Sequence, residues 1–567
     1  MAVGRNGARR PLVGAGFSRR DFLKMGGASL AGATLLGTAG CGSIFGGGQS
    51  GGGGGGSESK VLNINLTAEV PDLNSLTTTD SVSFNVLTNL MEGLYRLDQD
   101  QKPVPATAEG VEISSDGLTY EFTLRDGVQW SNGDPVTSQD FKYAWLKVLD
   151  PETAASYAYI ISTFVKGADA YNTKKGDPGS VAIAAPDDKT LRVQLNNKSP
   201  FFLQLTSFGT YFPQQQEFVE KLGDKYAQDG ESLLYNGPYT MTAGTAGGGQ
   251  TVVLEKNDKY WDKDNVAVET INGRIVKEND TAINLYEGGE LDLTSLEGNK
   301  VQQYVDSPDF FRRVEPWTVY GQLNQKEPGL DNINIRKALM IGFDREALTD
   351  QILQDGSVPA YGFVPPAIAP GPGNQTFREA NGDLVPKDVE SARALWEKGV
   401  EEIGGQAPKL TMLFSDTSEQ RDLATYMQDQ YKKNLGADFE VEVVTFDAAL
   451  DRVSAEDYQI SYAYGWIGDY DDPMTFLELY LSDSSFNDSF FENEEYDRLI
   501  KGAQTEPDTD KRMQMMLEAE RILIEEEAAT VPAFYAAVAG VKKPYFKGYT
   551  PHAFGGDDYK YASIKGK

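Results

Sequence analysis

Cysteine and histidine are all but missing from this 567-residue chain: Cys41 and His552 are the only ones. One thiol excludes an intrachain disulfide. One thiol plus one imidazole cannot assemble the ligand sets of zinc or non-haem iron sites. A Ser-His-Asp or Cys-His arrangement would have to recruit His552, and no Gly-x-Ser-x-Gly elbow offers a nucleophile. His552 is therefore expected to be a packed or surface residue. A phosphate-cradling Gly-x-x-x-x-Gly-Lys-Ser/Thr loop is also missing. Basic charge is scarce: 52 Lys and Arg face 84 Asp and Glu, a formal net charge of −32. Such a field repels nucleic acid and anionic headgroups, excludes a nucleic-acid role, and serves mainly as a solubility device. No catalytic residue, metal ligand or cofactor is expected.

Long apolar runs are missing as well. The stretch from Met25 to Gly40 is short and glycine-rich, a poor membrane span. Ahead of it, Ser18-Arg19-Arg20-Asp21-Phe22-Leu23-Lys24 matches the twin-arginine export pattern, so residues 1–40 read as a cleavable signal. Thr38-Ala39-Gly40-Cys41 resembles a bacterial lipobox, with Thr38 where Leu is usual. Cys41 is then the expected lipidated first residue of the mature protein. Residues 41–59 include a nearly pure glycine run, Gly46 to Gly56, which cannot bury apolar surface and reads as a flexible tether. The expected location is extracytoplasmic, anchored to the cell membrane. Residues 1–40 hold six Arg or Lys against one Asp, so the exported portion carries a formal charge near −37.

Aromatic residues, by contrast, make up 11% of the chain. One run concentrates them: Gly465-Trp466-Ile467-Gly468-Asp469-Tyr470-Asp471-Asp472-Pro473-Met474-Thr475-Phe476. The alternation of Tyr458 to Tyr464 predicts a strand that ends where this run begins, a frequent location for a binding loop. Rings beside a carboxylate suit a ligand that carries a cation and needs its flanks desolvated. Two rivals remain open on the residues alone. A carboxylate pair with stacking rings could hydrolyse glycosides, and the clustered acids could collect calcium, although EF-hand spacing is lacking.

The remaining patterns mix strands and helices without a repeat, which predicts an α/β or α+β class. Val61 to Leu66, Leu118 to Leu124, Leu191 to Leu195 and Thr251 to Glu255 read as strands. Helices are predicted from Phe84 to Leu94, after a capping box at Thr137-Ser138-Gln139-Asp140, from Ile335 to Leu353, and from Asp510 to Glu526.

Several blocks in fixed order carry a family resemblance. They are Met91-Glu92-Gly93-Leu94; Ser115-Asp116-Gly117-Leu118-Thr119-Tyr120-Glu121-Phe122; Trp130-Ser131-Asn132-Gly133-Asp134-Pro135-Val136-Thr137; Asn236-Gly237-Pro238-Tyr239; Lys256-Asn257-Asp258-Lys259-Tyr260-Trp261; and Ile335-Arg336-Lys337-Ala338-Leu339 with Asp344-Arg345. From Leu62 onward the chain resembles the peptide-type (oligopeptide and dipeptide) extracellular substrate-binding proteins of ABC importers, solute-binding protein family 5. Trp130, Phe122 and Trp145 are expected in the core, and Gly117 and Gly133 in turns.

The resemblance implies an α/β, two-lobed periplasmic-binding-protein-like fold of type II with an additional α+β domain. Lobe I would comprise 60–96, 236–319 and 541–567, the additional domain 97–235, and lobe II 320–540. It further implies a monomeric, lipid-anchored receptor that binds short peptides between its lobes, breaks no bond, and hands the ligand to permease and ATPase subunits. Asp469, as the aspartate of a Trp-x-x-Asp motif, would hold the peptide α-ammonium. The backbone of Gly465 and Ile467 would pair with the peptide, Trp466 and Tyr470 would flank it, and Asp80 and Ser81 would face it from the other lobe. No arginine precedes Gly465 to grip a carboxylate, so the ligand's far end is unassigned. Within the same fold the solute could instead be a sugar or a nickel chelate.

Overall fold

Alternation along Val61–Leu66 buries Leu62, Ile64 and Leu66 while the residues between them stay at least partly exposed. This strand lies inside the principal sheet of the computed structural model, which describes residues 60–567 apart from 369, 370, 373, 374, 485, 550, 555 and 567. The twin-arginine run, Cys41 and the glycine tether lie outside the described residues.

From one edge, the sheet runs Glu440–Val444, Thr411–Ser415, Ile460–Ser461, Phe310–Leu323, Thr530–Lys542, Leu293–Leu296, Val61–Leu66, Thr270–Ile275, Gly248–Lys256 and Tyr239–Thr245. Two long antiparallel strands, Phe310–Leu323 and Thr530–Lys542, cross its middle. Near Phe310 and Lys542 they adjoin Leu293–Leu296 and, beyond it, Val61–Leu66. Near Leu323 and Thr530 they adjoin Ile460–Ser461, Gly465–Ile467 and Val358–Pro359. Their pairing slips between Val314 and Thr318, a local irregularity that bends a ladder. The expected lobe boundaries at 319/320 and 540/541 both fall within these two strands. The segment between them is therefore covalently continuous with the rest of the chain only through this pair. The fold is the two-lobed α/β arrangement, and the paired strands are its crossing.

A separate antiparallel sheet, Ala108–Ile113, Thr119–Leu124, Thr190–Gln194 and Ile183–Asp187, lies wholly within residues 97–235. Gly117 turns its first hairpin with φ of 72°, and Gly133 has φ of 94°, left-handed values that favour glycine. The helix Ser138–Leu149 starts in a reciprocal capping box between Thr137 and Asp140. Phe122, Trp130 and Trp145 are buried, as expected. His552 is buried as well, its Nδ1 at 3.3 Å from Gln101 Oε1.

Two elements differ from expectation. The single helix from Ile335 to Leu353 is in fact Ile333–Ile341, capped by Asn332, followed by a turn at Arg345–Ala347 and a wide turn at Leu348–Leu353. The break falls at Gly342, against which the Tyr431 ring packs, and Asp344 caps the restart. The strand expected over 458–464 is confined to Ile460–Ser461, and Gly465–Ile467 is itself a strand rather than a loop. Both pair with Phe310–Leu323, but one residue out of register with each other. The slip is taken up where the Tyr462 ring packs onto Gly321. No helix among the described residues is long and apolar enough to cross a membrane.

Candidate functional site: an edge strand and a buried carboxylate

Gly465–Ile467 pairs with Val319, Thr318 and Trp317 in antiparallel register. The Gly468 N–H donates to the Pro316 carbonyl at 2.8 Å, which fixes the alternation. Trp466 and Gly468 turn their backbone groups toward the crossing strand, and Gly465 and Ile467 turn theirs away. No second strand pairs with that outer side among the described residues. Only glycine fits at 465, because a Cβ there would collide with the Thr318 carbonyl oxygen and the Trp317 indole nitrogen. Ile467 is exposed.

Asp469 follows two residues after the strand. Its N–H donates to Thr475 Oγ1 at 3.1 Å, and its carboxylate accepts the hydroxyls of Tyr159 and Tyr157. Asp469 is buried and makes no ion pair among the described residues. Burial pushes its carboxyl up to about 7, against the opposing pull of the two phenols. Both phenols are in turn pushed far up, first by burial and then by the Asp469 charge. Rings wall the carboxylate: Tyr157 stacks near Tyr159 at 5.8 Å, Tyr159 meets Phe486 edge-on at 5.1 Å, and Phe486 meets Trp466 at 5.3 Å. The Trp466 indole N–H is buried without an acceptor among the described residues.

Asp472, another acid of the run, is taken up within the protein. Asp472 takes both terminal nitrogens of Arg512 at 2.7 and 2.8 Å and caps Met474 N–H at 2.9 Å. Tyr470 is fully buried, its ring stacked on Phe201 at 4.1 Å and its hydroxyl donating to Glu478 at 2.7 Å. It packs instead of lining the open edge. Glu478 is also pushed up to about 7, by burial first, and the charges of Asp469 and Asp472 add to the rise.

Asp80 caps the helix Ser81–Leu90 by accepting Ser83 N–H at 2.8 Å. The cap makes Ser81 and Val82 helical, so this segment supplies no strand; Ser81 lies exposed on the first turn. The Asp80 charge nevertheless reaches the Tyr157 phenol, which places Asp80 and Asp469 around the same ring. Sequence reasoning missed Tyr157, Tyr159, Glu478, Phe486 and Arg512. Tyr159 lies 310 residues from its carboxylate, and no local pattern links the two. Among the described residues, no group of three or more His, Cys, Asp or Glu side chains is placed to hold a metal ion.

Two lobes on a crossing strand pair, with an open backbone edge and an enclosed charge beside it, define a protein built to hold a solute. The model for bacterial extracellular solute-binding proteins, family 5 (middle region), matches residues 102–488, and the chain belongs to that family. It is a binding protein and not an enzyme. It is 38% identical over 484 residues to the oligopeptide-binding protein OppA of Bacillus subtilis, covering 84% of this chain and 87% of that one. Listeria monocytogenes OppA bound to peptide superposes with a TM-score of 0.81 at 34% identity, covering 90% of this chain and 99% of the other. The substrate-binding domain of an oligopeptide ABC transporter from Bacillus anthracis gives 0.81 at 38% identity, with coverages of 89% and 99%.

Proposed function

We propose that the protein binds short peptides between its lobes, with the α-ammonium on Asp469 and the peptide backbone on the outer edge of Gly465–Ile467. The observation that carries this is a buried carboxylate with no cationic partner among the described residues, two residues past outward-facing amide and carbonyl groups. An enclosed carboxylate is costly until a cation meets it, and an extended chain is the natural complement of an open strand edge. The relatives named for oligopeptides support the same solute class. Lobe I then comprises 60–96, 236–319 and 541–567, the additional domain 97–235, and lobe II 320–540. Calorimetric titration with short peptides and their N-acetylated forms tests the proposal. Acetylation should weaken binding by about a hundredfold; equal affinities would overturn the ammonium role of Asp469.

The proposal extends to delivery to an ABC importer, a reading supported by the likeness to the substrate-binding domain of the Bacillus anthracis oligopeptide ABC transporter. Export through the twin-arginine signal and lipidation at Cys41 complete the proposal. Cys41→Ser should release the protein from the membrane fraction into the medium or periplasm; retention in the membrane would refute the anchor.

A further inference from the structure

Beside the candidate site, a second set of contacts touches none of the proposed ligand-facing groups. The Phe201 ring lies parallel to Tyr470, with centroids 4.1 Å apart and planes at 13°. Phe164 closes on both rings edge-on, at 5.3 Å from Phe201 and 6.2 Å from Tyr470. Three residues along, Gln204 Oε1 accepts the Asp471 N–H at 3.1 Å. The Arg512 guanidinium, already engaged with Asp472, lies 5.9 Å from the Phe201 centroid.

Phe164, Phe201 and Gln204 belong to the segment that carries the small four-stranded sheet. Tyr470, Asp471 and Arg512 belong to the segment whose covalent connection to the rest runs through the crossing strands alone. Opening about the crossing strands, as solute capture between lobes requires, would separate these two groups. The contacts form from the protein's own groups, so they favour closure whatever solute is enclosed.

The geometry points to Phe201 and Gln204 as positioning residues for solute capture: with Tyr470 and Asp471 they form a clasp that sets the balance between open and closed forms. This inference rests on the capture proposal above, yet it has a readout of its own. A receptor that is competent for only part of the time binds more weakly in proportion, and a complex with a weaker clasp opens sooner. Losing a buried aromatic partner removes both its apolar burial and its ring–ring geometry.

The test compares the full chain with its Phe201→Ala and Gln204→Ala variants, using small-angle scattering of the ligand-free protein and the dissociation rate of trialanine. The expected result for Phe201→Ala is a larger radius of gyration and trialanine dissociation faster by about tenfold or more, with the association rate unchanged. Gln204→Ala should move both readouts in the same direction by a few-fold. Folded variants with the wild-type radius and the wild-type dissociation rate would overturn the clasp. Should Phe201→Ala not fold, the same two readouts on Gln204→Ala decide. A radius that grows in a protein whose wild type ignores trialanine supports the clasp while refuting the peptide proposal.

Discussion

Asp469→Asn will weaken peptide binding by about 3 kcal/mol, on the order of a hundredfold, while leaving the ligand-free protein at least as stable at pH 8. The two effects differ in sign because one carboxylate serves both states. In the ligand-free form its carboxyl is raised to about 7 by burial. A raised acid stabilises the folded form fully only below its ordinary range and loses that contribution as pH climbs through 7. Asparagine keeps the shape and has no proton to lose. A peptide ammonium, in contrast, needs the ionised carboxylate, so wild-type affinity should rise from pH 5 to pH 7 with a proton released on binding. Titrations in buffers of different ionisation heat measure that proton. The Glu478 carboxyl, also raised to about 7, titrates beside it, so the asparagine variant is needed for the assignment. A variant that binds peptide as tightly as wild type, or one that keeps the pH dependence, would refute the role given to Asp469.

Arg512→Met should cost about 3–5 kcal/mol of stability, because it leaves Asp472 buried and unpaired. Burial alone pulls the Arg512 guanidinium down, but the charge and hydrogen bonds of Asp472 outweigh it and hold the group above its ordinary value. Removing that cation also takes away a positive charge that offsets the push of Asp469 and Asp472 on Glu478. The unfolding midpoint of the ligand-free protein should fall by roughly 3–5 °C, the shift expected for a large body that unfolds as one unit. Arg512→Lys should recover only part of the loss, since one ammonium cannot reproduce the paired bonds at 2.7 and 2.8 Å. Adding Asp472→Asn to Arg512→Met should recover more, by removing the stranded charge. A methionine variant melting within a degree of wild type would show that the pair contributes nothing.

Local order carried most of what was legible in the sequence. The capping box at Thr137, the turn at Gly117, the alternation of Val61–Leu66 and the buried rings of Trp130 and Trp145 all depend on neighbours within a few residues. Asp469 could be singled out because its rings and glycines adjoin it in the chain. Its phenol partners could not, since Tyr157 and Tyr159 lie some 310 residues away and meet it only in the folded chain. Tyr470 misled for a related reason: an aromatic beside an acid suits a ligand wall, yet Phe201 claims its face from a distant segment. The helix break at Gly342 likewise depends on Tyr431, a residue the local pattern does not include.

The strand Gly465–Ile467 offers two outward backbone positions about 7 Å apart, one of them with no side chain. On the binding mode proposed above, a partner chain would meet these rungs through its own amide and carbonyl groups, which every residue type but proline supplies in full. The strand would then hold a solute by its main chain and leave the identity of its side chains largely unread.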